Sequence, residues 1–128
     1  MREEILNWWK QAKYDLKCAE DNFEIKHYSF TAFLCQQAVE KSLKALFLLE
    51  KKGLVPQSHS LMYFAINTST PKKFHSFLRD LTPKFVNTRY PDAASDLPFM
   101  LYDEKNTKPI LEQSREIIAW IREKLKTE

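Results

Sequence analysis

The chain has 128 residues, 29% of them charged, with a formal net charge of +3 and one glycine. That length suits one domain around one core, and a lone glycine argues against a turn-rich β fold. So small a net charge excludes the basic stripe of a dedicated duplex-DNA binder, and no apolar run approaches the roughly 18–20 residues of a membrane span.

Residues 2–25 are predicted to form a first helix. Ile5, Trp8, Ala12, Leu16, Ala19 and Phe23 recur at spacings of three and four and share one stripe, while Lys10, Lys13, Asp15, Lys17 and Asp21 fall mainly on the other faces. The run IKHYS interrupts the pattern, with Ser29 as the expected N-cap of a second helix reaching Lys52, where Gly53 and Pro56 supply the stop. This helix is apolar over much of its circumference, through Phe30, Phe33, Leu34, Ala38, Val39, Leu43, Leu46, Phe47 and Leu49. Such a helix is central in a bundle or lines a dimer seam. The short connection makes the first two helices antiparallel.

A short helix capped by Ser58 is expected over 58–67. A further one follows with Thr70 as N-cap and Pro71 at its first position, and Phe74, Phe77, Leu78 and Leu81 inward. Thr82, preceding Pro83, should leave the helical region. A long irregular stretch then runs to about 103 with Pro83, Pro91 and Pro98, and connections this long in a compact domain usually carry function. The last helix starts near Asp103 or Thr107, with Pro109 in its first turn or at a slight kink. Leu111, Ser114, Ile117, Ile118, Ile121 and Leu125 keep its period. The expectation is an all-α, up-and-down bundle of four main helices plus a short extra one.

The opening MREEILNWWKQ lacks the basic-then-apolar order of a secretory signal, so a cytoplasmic location and no membrane association are expected. Cys18 and Cys35 fit no metal or redox spacing and read as small buried hydrophobes; both lie at similar distances from the turn near His27, which leaves a disulfide as the alternative. No histidine pair or His/Cys cluster has ligand spacing, so no metal and no cofactor are expected. Aromatic residues at 13% are a surplus for so small a helical domain, which points to burial against a second chain.

Three stretches could carry chemistry. In QQAVEKSLKAL, Gln36, Glu40 and Lys44 are four apart, as are Gln37 and Lys41; the ordinary explanation is a solvated stripe with an i,i+4 Glu–Lys pair. Against it stands their place in the middle of the most apolar helix. His59, just after the expected Ser58 cap, is more often a surface residue than a catalyst, though it could donate to a phosphate. In NTRYPDA, Arg89 offers a planar fork for phosphate or carboxylate, Tyr90 a stacking face, Pro91 a fixed backbone and Asp92 an acceptor. The ordinary reading there is an Arg89–Asp92 pair with Tyr90 filling a core gap. Nucleophile elbows, P-loops and dinucleotide fingerprints are absent.

The order WWKQAKYDLKCAE, YSFTAFLCQQAVEKSLKALFL, SHSL, TRYPDA and a closing EIIAWIREKL resembles the HEPN domain family (higher eukaryote and prokaryote nucleotide-binding), in its small stand-alone prokaryotic form. The resemblance implies a helical bundle that pairs as a homodimer and a polar groove that binds nucleotide or RNA. It also implies partnership with a small nucleotidyltransferase, within what could be a toxin–antitoxin module. Matching positions put Gln37, Lys41, Lys44, His59, Arg89 and Tyr90 in a nucleotide site. Many HEPN proteins are metal-independent ribonucleases with a histidine four to six residues after an arginine. Here Arg89 is followed by YPDAASD, and no histidine follows His75. The expected function is therefore a non-catalytic nucleotide-binding protein. A ribonuclease toxin using Arg89 and His59, or a pure protein-interaction module, are the alternatives.

Overall fold

The computed structural model describes residues 2–90 and 96–126, residues 85 and 86 by backbone alone. The helices in chain order are α1 (Glu3–Glu24), α2 (Tyr28–Lys51), α3 (Leu61–Ile66), α4 (His75–Leu81), α5 (Lys84–Asn87), α6 (Pro98–Leu101) and α7 (Glu104–Lys126), with no strand among the described residues. A 3-10 turn, Lys72–Phe74, leads into α4. No helix is long and apolar enough to cross a membrane, among the described residues.

The apolar circumference of α2 makes it the axis of the all-α bundle: α1 and α7 lie along it, and α3, α5 and α6 also pack on it. Val39, Leu43, Leu46 and Leu48 have no exposed surface and meet Ile5, Trp9 and Ala12 of α1 and Ile117, Ile118 and Ile121 of α7. Removing a buried leucine here to alanine costs about 2–5 kcal/mol. The fourth position of the bundle is filled by α3, the 3-10 turn and α4, whose Leu61, Phe64, Phe74, Leu78 and Leu81 close the core.

Several element ends differ from the sequence expectation. His27, not Ser29, precedes α2, and Ser29 is buried in its first turn. Left-handed backbone occurs at Lys26 (φ 66°) and Lys52 (φ 55°), so Lys52 and not Gly53 turns the chain out of α2. Ser60 caps α3, its hydroxyl accepting from the Tyr63 N–H at 3.2 Å, while Ser58 accepts from the Ser60 N–H. His59 therefore belongs to the connection and not to a helical turn.

Thr82 keeps helical backbone before Pro83, because its hydroxyl donates to the Leu78 carbonyl and accepts from the Leu61 N–H at 3.1 Å. The stretch expected to be irregular carries α5 and α6. At α7 the Asp103 carboxylate accepts from the Asn106 N–H and the Asn106 side chain from the Asp103 N–H, a reciprocal cap that fixes the start and leaves Pro109 inside the helix.

Inward and outward faces also shift. Trp9 takes the core place and Trp8 is half-buried beside it; Phe30 points to solvent. Cys18 and Cys35 are both free thiols, and Cys35 packs between Ala19 and Leu111. Burial pushes the Cys35 thiol up to about 12.

Candidate functional site: a buried polar ladder beside a hollow

The glutamine, glutamate and lysine of α2 are not a solvated stripe. Gln36 is 0%, Glu40 3% and Lys44 8% exposed. Polar groups buried to that degree must find partners, and these do. Gln36 Nε2 donates to Glu40 Oε1 at 3.0 Å and Lys44 Nζ to Glu40 Oε2 at 2.9 Å. Gln37 Nε2 donates to Gln36 Oε1 at 2.7 Å. His59 reaches in from the connection before α3, its Nδ1 2.9 Å from Glu40 Oε1. One carboxylate thus gathers an amide, an ammonium and an imidazole.

Burial pushes the Glu40 carboxyl up, but hydrogen bonds from Lys44, His59 and Gln36 outweigh it, and the net direction is down. The carboxylate form is the stable one. A second pair lies on the α1 side of the ladder: Lys41 Nζ donates to Asp15 Oδ2 at 2.5 Å and Gln11 Nε2 to Asp15 Oδ1 at 3.0 Å. Asp15, expected on an outer face of the first helix, is buried. Its spacing from Ala12 and Ala19, three and four residues, is that of the core stripe itself.

Lys44 and His59 line a cavity of about 590 Å³ between α1, the start of α2's last turns and the 54–59 connection. Trp8 forms one wall, with Lys44 Nζ 5.0 Å from its ring centroid; Val55 and Gln57 come from the connection and Glu4 sits on the rim. The volume falls in the range of small-ligand sites. Lys44 spends one of its three N–H donors on Glu40 and keeps others for a ligand. An aromatic wall, an ammonium and an imidazole thus meet at one cavity, the last two held by a common carboxylate.

Arg89 and Tyr90 are elsewhere. The Arg89 guanidinium lies over the Phe33 ring at 4.5 Å and the Tyr90 ring at 4.9 Å. Both line a second hollow of about 520 Å³ with Ser29, Phe30, Leu97 and Phe99. Tyr90 is half exposed and so fills no core gap. Pro91 and Asp92 lie outside the described residues, and with them the expected Arg89–Asp92 contact.

Of the six residues singled out in the sequence, then, Lys44 and His59 meet at one hollow, Gln37 extends the same ladder, and Lys41 is committed to Asp15. Arg89 and Tyr90 meet at the other. Trp8, Glu40 and Gln36 join the first group; Glu40 had been visible only as half of an ordinary helix pair. Among the described residues, no group of three His, Cys, Asp or Glu side chains could hold a metal ion.

A family model of the HEPN domain matches residues 5–124. Among solved structures, the fold is similar to TT1696 from Thermus thermophilus, with a TM-score of 0.86 and 26% identity over 96% of this chain and 99% of that one. It is also similar to ST0689, described as an archaeal HEPN homologue, with a TM-score of 0.80 over 96% of this chain and 98% of that one; at 24% identity this likeness shows the fold alone. No curated protein matches the chain. With nearly its whole length covered by the family model and its fold shared with a HEPN homologue, the chain belongs to the HEPN family.

Proposed function

We propose that this HEPN protein binds a nucleotide at the Trp8–Lys44–His59 hollow and acts as the non-catalytic partner of a small nucleotidyltransferase. The observation that carries the binding site is the convergence of Lys44 and His59, fifteen residues apart in sequence, on the single buried carboxylate of Glu40 at a cavity wall. The phosphate takes the Lys44 ammonium and the His59 imidazole, and the base lies against Trp8. Glu40 holds both donors in place before the ligand arrives, which lowers the ordering cost of binding.

Titration calorimetry with AMP, ATP and GTP tests the site. Trp8→Ala and His59→Ala are each expected to weaken binding about tenfold, the loss of one good charge-assisted or stacking contact. Equal affinity for wild type and both variants would place the nucleotide elsewhere. The partnership itself is tested by co-purifying the chain with the nucleotidyltransferase encoded beside it; no complex at micromolar concentration sinks that part.

The homodimer reading rests on a separate surface. Phe30, Tyr90, Leu97 and Phe99 are large apolar side chains exposed together around the second hollow, a patch of the kind that soluble proteins cover. A mass of one chain in solution at micromolar concentration contradicts it.

One observation favours a second reading, a ribonuclease. A carboxylate against Nδ1 of a half-exposed histidine orients the ring, as in many general bases. RNA cleavage by purified protein that disappears in His59→Ala would establish this reading; a trace activity unaffected by that change would remove it.

A further inference from the structure

A groove of about 300 Å³ runs between α1 and α7 on the side of the bundle built by these two helices. Both helices pack mainly on α2 and meet each other only over a smaller area, so their outer edges leave a furrow. Its floor is aliphatic: Leu16 from α1, with Ile118 and Ala119 from α7. Its walls are cationic on both sides, Lys13 and Lys17 on α1 and Arg115 and Arg122 on α7. The one acid in the lining, Glu20, is engaged by Arg115 through two N–H groups at 2.8 and 2.7 Å.

We propose that this groove docks an acidic amphipathic helix of a partner protein. Three features select that occupant. Lys13 and Lys17 are one helical turn apart, about 6 Å by the rise per residue, which matches carboxylates at i and i+4 of a helix laid alongside. The aliphatic floor asks for an apolar stripe between those carboxylates, as in helix-in-groove recognition. Lys17, Arg115 and Arg122 have acid neighbours in Asp21, Glu20 and Glu123, and the Lys13 ammonium is the positive surplus that steers an acidic segment toward the groove.

Single-stranded nucleic acid fits the same charge less well. It needs exposed rings on which bases stack. The aromatic residue in the groove, Trp9, is buried, and the Lys13 ammonium sits 5.8 Å over its ring. The existing ion pairs do not block an incoming helix. Lys17–Asp21, at 2.6 Å, is exposed on both sides and is worth little in water.

The test uses the full chain and two labelled synthetic peptides of about twenty residues, long enough to hold a helix. Both carry leucines on one stripe; one is flanked by glutamates and the other by lysines. Fluorescence anisotropy at low salt should show binding of the glutamate peptide, lost at least about tenfold in Lys13→Glu/Arg122→Glu and weakened by added salt. Ala119→Glu, which fills the exposed floor and sets a carboxylate three and four residues from Arg122 and Arg115, should weaken it as well, and circular dichroism checks that each variant keeps its helices.

Equal binding of the two peptides overturns the proposal, and so does unchanged affinity in both variants. Tighter binding of an oligouridylate than of the glutamate peptide, sensitive to the same substitutions, overturns it in favour of nucleic acid. None of these residues lines the Trp8–Lys44–His59 hollow, so this outcome and that of the nucleotide titrations are independent.

Discussion

Replacing Lys44 by methionine separates a buried ladder from a solvated stripe. Methionine keeps an unbranched stem against Trp8 and Phe64, which lie 5.0 and 5.8 Å from the ammonium, and removes only the charge and its donors. On an exposed helix the lost Glu–Lys pair is worth a few tenths of a kcal/mol. Here the two side chains are 9% and 4% exposed, so removing one leaves a carboxylate in the protein interior. Breaking a buried pair costs about 3–5 kcal/mol, and the lower end applies because Gln36 and His59 still donate to Glu40. About 3 kcal/mol is a large share of the 5–15 kcal/mol that small domains have. Urea titrations followed by circular dichroism, with comparable slopes for wild type and variant, measure it. The double variant Glu40→Gln/Lys44→Met completes a cycle and should be less damaged than the two single changes summed, by about 2 kcal/mol. A Lys44→Met cost under about 0.5 kcal/mol, or a coupling near zero, refutes the ladder as a buried unit.

Glu40 also sets a pH dependence. Its folded carboxyl is held below the ordinary value, so the stabilisation from ionising it is complete above about pH 5 and is lost as the pH falls through the lowered value; Glu40→Gln should flatten that acid limb in melting-temperature scans. The Asp15–Lys41 pair is partly exposed on the lysine side, so Asp15→Asn should cost only about 1 kcal/mol by the same urea assay, well below Lys44→Met. Cys35, with its thiol pushed up to about 12, should resist maleimide in the folded protein and react only after urea unfolding, whereas the half-buried Cys18 labels first by mass spectrometry.

Periodicity made α1, α2 and α7 legible because each buries a stripe against a neighbour, and a stripe needs only spacing to be seen. It did not reveal the ladder. Gln36, Glu40 and Lys44 have the same i,i+4 spacing whether they face water or protein, and what decides is Trp8 from α1 and His59 from a connection nineteen residues from Glu40. Asp15 could have been found: it stands at core spacing between Ala12 and Ala19, and its charge hid that. The groove between α1 and α7 was not visible at all, since its two walls are about a hundred positions apart in the chain and each alone reads as a hydrated helix face.

The α2 face also explains why Arg89 and His59 do not form one site within a protomer. Phe33, under the Arg89 guanidinium, and Glu40, which holds His59, are seven residues apart, two turns on the same face and about 10 Å along the axis. Gln36 and Gln37 occupy the interval. An arginine and a histidine working on one phosphate must both come within hydrogen-bond reach of it, about 3 Å. Two hollows that share a helix face but no lining residue do not offer that. Substitutions at the two ends should therefore act independently on nucleotide affinity. His59→Ala weakens binding, Arg89→Ala leaves it within about twofold, and the double variant equals the sum within about 0.5 kcal/mol. Arg89→Ala instead costs stability, about 0.5–1 kcal/mol for the lost stacking on Phe33. A coupling above about 1 kcal/mol between positions 59 and 89 in calorimetric titrations would mean that one ligand reaches both hollows, and the division of the α2 face into two sites would fall with it.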